Sequence, residues 1–334
     1  MVNPPVTIPI SFVRGMLSGA RVRERPLDPF LAAAQIAPEL LQEHGARVTA
    51  EQYVTLFRTL IEQLDDEALG FLSRSLKRGS FALVARAAIS ATTLEVALRR
   101  AAHAFRLLQD DLVLMLDREQ GLAGVTLRFI DTSRAEQIFL HELLLRVFWR
   151  LLAWLAGGQL PIERFDFAFE SPPHAASYAK VFPAALRFGR PTSTFWFDAA
   201  HLQAPVRRDE AALRTFLVDA QANIIVPRRN DTVIARVRSH LQAAEPAWPD
   251  LGATALALHM STSTLQRRLA LEGTSFQALK DELRRDMAIV LLNTGTTPLT
   301  RLASQLGFAD SAAFQRAFKS WTGSAPGIYR RRAT

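Results

Sequence analysis

Near the carboxyl end of this chain, one short segment carries side chains that suit the edges of DNA base pairs. Within residues 261–272, Gln266 and Arg267 lie between two leucines four residues apart, a spacing that predicts a helix with the polar pair facing outward. Arginine can bond guanine and glutamine can bond adenine through two atoms each. The pair is therefore a candidate for contacting bases, although glutamine and arginine are also ordinary residues of a solvated helix face.

The same pattern occurs a second time, 49 residues further on. LQRRL at 265–269 returns as FQRAF at 314–318, and each copy follows a short apolar-periodic helix and a turn. Ser261 and Asp310 stand where the second helix of each unit would begin, and both residue types cap helix N-termini. A helix, a tight turn and a second capped helix form a helix-turn-helix. We predict these motifs at about 251–272 and about 299–322.

Each predicted second helix has an outward face that holds its candidate base-contacting side chains. Two copies in matched turn contexts favour base contact over a solvated surface, because repetition implies one structural unit used twice. The outward residues are Thr262, Ser263, Gln266 and Arg267 in the first motif, and Ser311, Ala312, Gln315 and Arg316 in the second.

The stretch between the two motifs predicts a single connecting helix. Residues 275–295 place apolar side chains at helical spacing, and about 20 residues would give a rod of roughly 30 Å. That length nearly matches the roughly 34 to 36 Å between successive major-groove faces of B-DNA. The charge distribution agrees, since residues 226–334 hold 15 basic and 8 acidic residues, against 25 and 24 in the rest of the chain. Clustered basic charge is expected of a polyanion-binding domain, although it also serves solubility.

Several classes of site are disfavoured by the composition. The chain has no cysteine, which excludes disulfides, thiolate metal sites and cysteine nucleophiles. The seven histidines show no metal-ligand spacing, and neither a catalytic arrangement nor a phosphate-binding loop occurs. The first residues lack the features of a secretory signal, so we expect a cytoplasmic protein. We therefore predict no enzyme activity, no metal and no cofactor.

One apolar stretch, residues 138–157, has the length of a membrane span. Glu142, Arg146 and Arg150 recur every four residues within it, and each would cost roughly 2.5 to 3.5 kcal/mol at the centre of a bilayer. The stretch therefore predicts an amphipathic helix of a globular domain, and no membrane partner. The neighbouring His141 is expected to be a partly buried, hydrogen-bonded side chain rather than a metal ligand.

The part of the chain before residue 226 predicts a mixed domain. Residues 94–108 have helical periodicity, whereas residues 111–131 alternate and turn near Gln120 and Gly121, as a β-hairpin would. Strand-like alternation returns at 163–171 and 194–199. The predicted fold class is α+β, with a mixed α/β domain followed by an all-α domain whose two helix-turn-helix motifs are joined by a long helix.

Residues 230–332 resemble the DNA-binding domain of the AraC/XylS family. The resemblance rests on MSTSTLQRRL, the connecting helix, ASQLGFADSAAFQRAFKSWTG and the closing APGIYRR. It implies a module whose two recognition helices enter adjacent major grooves of double-stranded DNA. In the first of these helices, base contacts would fall on Ser263, Gln266 and Arg267, with Thr262 and Thr264 beside them.

The second recognition helix departs from the more polar versions in the family. Its matching positions include Ala312 and Ala313, which cannot hydrogen-bond through their side chains. This helix is therefore predicted to contact thymine methyl groups or mainly to position the backbone. Arg268 and Lys319 are predicted to contact phosphates or to face solvent.

The preceding region is similar to the arabinose-binding-type regulatory domain of the same family, most clearly over residues 22–210. The similarity rests on EHGARVTAEQYVTLF, LEVALRRAAHAFRLL and FPAALRFGRPTSTFWFDAAHL. It implies that residues 1–225 bind a small-molecule effector and pair two subunits. The predicted function is an effector-responsive transcriptional activator that acts as a homodimer with RNA polymerase.

Two alternatives follow from the same resemblance. A DNA-repair enzyme with this DNA-binding module would need a methyl-accepting thiolate, which a chain without cysteine cannot supply. A ligand-independent DNA-binding regulator or architectural protein, whose N-terminal domain only dimerises, stays open.

Large side chains of the first domain could line a pocket for a lipophilic effector. Aromatic residues also fill ordinary cores and dimer interfaces, so both interpretations stay open. Arg146 could bind a ligand carboxylate or pair with an acidic side chain. The candidate pocket residues are Phe105, Phe139, Arg146, Phe148 and Trp149.

Overall fold

A computed structural model of the chain describes residues 6–218 and 233–330. The chain divides into a central unit, residues 11–30 and 54–227, and a C-terminal unit, residues 1–10, 31–53 and 228–334. The predicted domain junction at residues 225–230, and Arg331 at the end of the family motif, lie outside the described residues. Residues 6–10 and 31–53, which precede that junction, are part of the C-terminal unit. We call these two stretches the N-terminal segments.

Helices and short strands alternate up to residue 218. The helices are α1 (Ile10–Val22), α2 (Asp28–Ala33), α3 (Ala50–Leu64), α4 (Ser80–Ile89), α5 (Leu94–Leu108), α6 (Ile138–Leu155) and α7 (Glu210–Val218). The strands are β1 (Thr7–Pro9), β2 (Arg47–Thr49), β3 (Leu112–Glu119), β4 (Leu122–Phe129), β5 (Arg164–Asp166), β6 (Ala185–Arg187) and β7 (Ser193–Asp198).

The sheet of the central unit runs in the order β3-β4-β7-β5-β6 within the described residues. Its neighbours pair antiparallel except β5 and β6, which are parallel. The predicted hairpin is confirmed, because β3 and β4 are joined by Gln120 and Gly121 alone. Both residues have positive φ angles, 47° and 84°, as a two-residue type I′ turn requires. Together with the helices around it, this sheet confirms the mixed α/β class predicted for this part of the chain.

The predicted amphipathic helix is α6, but its charged side is not solvated. Glu142 and Arg146 are only 3% and 6% exposed. The Glu142 carboxylate accepts a hydrogen bond from the Tyr178 hydroxyl and lies 3.8 Å from His174 Nε2. Polar side chains from residues 174–178 thus satisfy a charge that the helical pattern alone assigns to the surface. Among the helices of residues 6–218 and 233–330, none has the length and hydropathy of a membrane span.

His141, at the start of α6, is fully buried and hydrogen-bonded on both ring nitrogens. Its Nε2 lies 2.9 Å from the carbonyl oxygen of Ala135, and its Nδ1 lies 2.7 Å from Ser193 Oγ. Burial lowers the pKa of His141 to about 4. The prediction of a hydrogen-bonded histidine is confirmed.

The C-terminal unit contains six further helices within the described residues. They are α8 (Val233–Ala243), α9 (Leu251–Ala257), α10 (Thr262–Leu271), α11 (Phe276–Thr294), α12 (Leu299–Gln305) and α13 (Ser311–Thr322). Together they form the all-α part of the predicted fold class, with the long α11 between the two pairs α9–α10 and α12–α13. The short strands β1 and β2 pair antiparallel and belong to the same unit.

Candidate nucleic-acid interface and effector cavity

The first helix-turn-helix consists of α9 and α10. Ser261 caps α10, because its Oγ accepts a hydrogen bond from the backbone N–H of Thr264 at 3.1 Å. Leu265 and Leu269 are both fully buried, so the helical repeat turns the opposite side of α10 outward. This combination of a cap and two inward leucines determines which side chains of the helix a DNA duplex can reach.

Four of the five base-contact candidates of α10 are exposed. They are Thr262, Ser263, Gln266 and Arg267, whereas Thr264 is half-buried. The Thr264 hydroxyl accepts a hydrogen bond from Ser261 Oγ at 2.9 Å, so it also serves the cap of the helix. Arg268 is exposed as well.

The second motif, α12 and α13, repeats this construction with different side chains. Asp310 caps α13 by accepting a hydrogen bond from the backbone N–H of Ala313 at 2.7 Å. Phe314 and Phe318 are fully buried and occupy the positions that Leu265 and Leu269 hold in the first motif. The candidates Ala312, Gln315 and Arg316 are exposed, as is Lys319, and Ser311 is half-buried.

The linking helix α11 extends over 19 residues, or about 28 Å. Lys280 Nζ donates a hydrogen bond to the carbonyl oxygen of Trp248, 2.7 Å away, just before the first motif. The Arg284 guanidinium lies 5.0 Å from the ring centre of Trp248 and 5.2 Å from that of Phe308, in the turn of the second motif. These two basic side chains therefore tie α11 to both motifs.

Several basic residues of this unit are thus occupied by contacts inside the protein. Besides Lys280 and Arg284, Arg238 lies 3.5 Å from a carboxylate oxygen of Glu282 and 3.0 Å from one of Asp286. A count of basic residues in the sequence does not distinguish these internally bonded side chains from the exposed ones on α10 and α13. An acidic residue amid the apolar positions of the linking helix, as Asp286 is, is the sequence signal that indicates internal pairing.

The central unit contains an apolar cavity of about 100 Å³ between α3, α4, α5 and α6. Two of the predicted pocket residues, Phe105 and Phe148, line it and are in edge-to-face contact, with ring centres 5.2 Å apart. The lining residues are Phe57, Ile61, Glu67, Ala68, Leu76, Ser80, Phe81, Val84, Phe105, Leu108, Leu143, Leu144, Val147 and Phe148.

The other three predicted pocket residues are not part of that lining. Phe139 stacks on Phe71, with ring centres 5.9 Å apart, and Trp149 donates a hydrogen bond from Nε1 to the carbonyl oxygen of Leu160 at 3.2 Å. Arg146 is buried in the core of the unit. Helical phase accounts for the difference, because Phe139 is nine residues before Phe148 and so lies about 180° round α6 from it. The spacing in the sequence therefore already indicates that Phe139 and Phe148 lie on opposite sides of α6.

Two family models match the chain. The arabinose-binding N-terminal domain of the AraC transcription regulator matches residues 25–206, and a helix-turn-helix domain matches residues 254–332. The chain belongs to the AraC family of transcriptional regulators. Residues 254–332 include both recognition helices, α10 and α13, which confirms the DNA-binding class predicted from their repeat.

Similar regulators match nearly the whole chain. The ornithine utilization regulator of Pseudomonas aeruginosa is 28% identical over 327 residues, which cover 97% of this chain and 96% of that protein. The regulator VirS of Mycobacterium tuberculosis is 24% identical over 310 residues, 90% of each chain. The crystal structure of the transcriptional regulator CdpR from Pseudomonas aeruginosa aligns with 93% of this chain and 98% of its own, at 21% identity. The TM-score of this alignment is 0.35.

Proposed function

We propose that this AraC-family regulator recognises DNA mainly through α10, with Gln266 and Arg267 as its principal base-contacting residues. The observation that supports the assignment is the exposed polar face of α10, held outward by the cap of Ser261 and by two buried leucines. Thr262 and Ser263 lie at the start of that face, where a hydroxyl can reach a base edge or a phosphate. Arg268 is also exposed and is assigned to the DNA backbone.

The second recognition helix contributes less to sequence discrimination in this proposal. On α13, Gln315 and Arg316 are exposed, but Ala312 offers only a methyl group near the helix start. A methyl group can contact the C5 methyl of thymine and cannot accept or donate a hydrogen bond. We assign Ser311, Gln315 and Arg316 to this weaker contact, and Lys319 to phosphate.

Adjacent arginines allow a matched test of this assignment. Arg267→Ala should lower the affinity for a duplex selected by the wild-type protein by about 1 to 3 kcal/mol and relax the base preference at one position. Arg268→Ala should weaken binding to all sequences alike and reduce the salt dependence of binding by about one ion. Fluorescence anisotropy titrations at several salt concentrations measure both effects. Equal losses of base preference in the two variants would remove Arg267 from its assigned role.

We also propose that the protein responds to a small, uncharged, lipophilic effector that binds in the cavity of the central unit. All but two of the lining residues are apolar. The carboxylate of Glu67 is the one ionisable group among them, and it already accepts hydrogen bonds from the backbone N–H groups of Gly79 and Phe81, both at 2.7 Å. Burial raises the pKa of Glu67, and a second negative charge beside it would be repelled. The cavity thus suits a neutral ligand.

The size of the cavity restricts the part of the ligand that it encloses. An apolar cavity of about 150 Å³ in another protein stays dry and binds benzene, so about 100 Å³ suits a single small ring or a branched aliphatic group. The half-exposed side chains of Phe81, Leu108 and Val147 border the cavity and would contact any remainder of the ligand. Phe105 and Phe148 would contact the enclosed group.

A filled-cavity variant tests this part of the proposal. Val84 is buried and lines the cavity, so Val84→Phe should remove the space, whereas Val218→Phe alters an exposed valine of the same unit. Toluene should raise the melting temperature of the wild type and of Val218→Phe, but not of Val84→Phe. The relative from Pseudomonas is named for ornithine utilization, and ornithine, a charged amino acid, should give no shift. An equal response of all three proteins to toluene would contradict the cavity assignment.

The remaining parts of the proposal rest on membership of the AraC family. We propose that two copies pair, that the dimer acts in the cytoplasm, and that the effector promotes recruitment of RNA polymerase at a nearby operon. An effector must bind the active state more tightly than the inactive one, so it must change the DNA affinity or the promoter output. A promoter response identical with and without every effector that binds the cavity would favour the ligand-independent alternative.

A further inference from the structure

The DNA-binding helices of the C-terminal unit share that unit with the N-terminal segments. Strands β1 and β2 pair in register, with Thr7 opposite Thr49 and Ile8 opposite Val48. Ile8 and Val48 are 4% and 0% exposed, so the strand pair is part of the core of the unit. These segments are far from the motifs in sequence. The sequences of the motifs alone therefore do not reveal that the segments belong to this unit.

Asp286, in the middle of α11, connects the strand pair to the helices. Its Oδ1 accepts hydrogen bonds from Thr7 Oγ1 at 2.6 Å and from Arg285 Nη2 at 3.0 Å, and its Oδ2 accepts one from Arg238 Nη2 at 3.0 Å. Arg47 of β2 donates from Nε to Thr7 Oγ1 at 2.7 Å, and the same nitrogen lies 3.8 Å from Asp286 Oδ1. One carboxylate therefore joins β1, β2, α8 and α11.

The electrostatics of this cluster require the carboxylate to be ionised. Burial of Asp286 opposes ionisation, but the charges of Arg285, Arg47 and Arg238 together outweigh it and hold the pKa of Asp286 below its usual range. Burial, followed by repulsion from Arg285, lowers the pKa of Arg47 to about 10. Without the carboxylate, three guanidinium groups would lose the anion that they share, and Arg238 would keep only the carboxylate of Glu282, 3.5 Å away.

Two further contacts connect the N-terminal segments with the ends of α11 and α13. Gln52 Nε2 donates a hydrogen bond to Asn293 Oδ1, 3.0 Å away, in the last turn of α11. Gly45 lies so close to the end of the second recognition helix that a Cβ atom there would be 3.1 Å from the carbonyl carbon of Thr322. A side chain at residue 45 would thus push against the backbone of α13.

We propose that the N-terminal segments are part of the DNA-binding machinery and that Asp286 is a positioning residue that fixes the two recognition helices relative to each other. The inference rests on the proposed function, in which α10 and α13 both contact DNA. Helix α8 packs against both α9 and α10, and Arg238 of α8 bonds Asp286 of α11. Asp286 thus holds the first motif on the linking helix, while β2 and residues 43–53 support the linking helix and the end of α13.

The test uses the full-length protein and duplexes that the wild type selects from a random-sequence library. Three duplexes are compared. The first is the selected duplex, which holds the two DNA sequence elements that the protein contacts. The second has about half a helical turn of DNA inserted between these elements, and the third holds the first element alone. Asp286→Asn keeps the shape of the side chain and removes its charge. It should weaken binding to the two-element duplex about tenfold or more, leave binding to the single element within about twofold, and reduce the penalty of the insertion. Each recognition helix stays intact in this variant, but their relative orientation is no longer fixed.

Matched variants separate positioning from folding. Thr7→Val removes the hydroxyl that bonds both Asp286 and Arg47 and should act in the same direction, whereas Thr7→Ser retains the hydroxyl and should restore wild-type binding. Asp281→Asn removes a carboxylate of the same helix that bonds Gln277, and should leave all three affinities unchanged. If circular dichroism shows that Asp286→Asn is unfolded, the comparison of Thr7→Val with Thr7→Ser decides the question.

The outcomes distinguish this inference from the proposed function. Equal losses on single-element and two-element duplexes would reduce Asp286 to a residue that stabilises the fold, and an unchanged insertion penalty would likewise overturn the inference. If the wild type selects no sequence at all, the proposed function fails first and the inference falls with it. Selection of a two-element site by the wild type, with a smaller insertion penalty in Asp286→Asn and in Thr7→Val, supports both.

Discussion

Acid should destabilise the central unit over a pH range set by His141. The hydrogen bonds around this residue specify its neutral form. Nε2 must donate to the carbonyl oxygen of Ala135, so Nδ1 is the acceptor for the hydroxyl of Ser193, whose oxygen in turn accepts from the backbone N–H of Ala168 at 2.9 Å. A proton on Nδ1 would force the hydroxyl hydrogen of Ser193 to turn away from the ring and would place a positive charge in a fully buried site.

The expected magnitude follows from the pKa of His141 in the folded state. Burial lowers it from 6.5 to about 4, and each pKa unit corresponds to about 1.36 kcal/mol. As the pH falls below about 6.5 the unfolded chain takes up a proton at this residue, whereas the folded chain takes it up only near pH 4. The contribution of neutral His141 to the free energy of unfolding is therefore complete above about pH 6.5 and is lost between about pH 6.5 and pH 4. Its total is on the order of 3 kcal/mol.

The assay is urea unfolding of the full-length protein at pH values from about 7.5 to about 4.5, followed by tryptophan fluorescence. His141→Gln keeps a donor and an acceptor but does not titrate, so the difference in unfolding free energy between wild type and variant should shrink as the pH falls. His103→Gln, at an exposed histidine of the same unit, is the control and should follow the wild type. A difference between wild type and His141→Gln that stays constant across this range would refute the reasoning.

Three further predictions concern the C-terminal unit. Asp310→Ala removes the cap of α13 and should lower the unfolding free energy by about 1 kcal/mol in urea titrations, whereas Asp310→Asn should retain most of the stability. Phe314→Ala should cost about 3 to 5 kcal/mol because the ring is fully buried, and the exposed neighbour Gln315→Ala should change stability by less than about 0.5 kcal/mol. Gly45→Ala should lower the melting temperature, because its Cβ would meet the end of α13, whereas Gly327→Ala, where a Cβ meets nothing, should change it little. A Gly45→Ala protein as stable as Gly327→Ala would contradict that close approach.

Features that depend on neighbours a few residues apart could be predicted from the sequence. The helix at 94–108, the caps at Ser261 and Asp310 and the inward leucines of α10 are all set by local spacing and residue type. The repeat of LQRRL as FQRAF added a second, independent reason for the helix-turn-helix. The polar faces of α10 and α13 follow directly from these local patterns.

Contacts between residues distant in sequence could not be predicted in this way. Thr7 and Asp286 are 279 residues apart, and although an acidic residue amid apolar positions indicates an internal partner, no local pattern identifies Thr7 as that partner. The same holds for Arg238 and Arg284, which raise the basic excess of the last third but bind Asp286 and Trp248 rather than standing free. A count of basic residues therefore overestimates the positive charge that this unit can present to DNA.

The central claim is that Gln266 and Arg267 of α10 supply the main base contacts. It is tested most directly by sequencing the duplexes that the wild type and Arg267→Ala each select from one random library. We predict that the wild type selects two sequence elements about one helical turn apart, and that Arg267→Ala loses the preference at one position of one element while keeping the other element. Selection of the same motif by both proteins, or no enrichment of any sequence by the wild type, would contradict it.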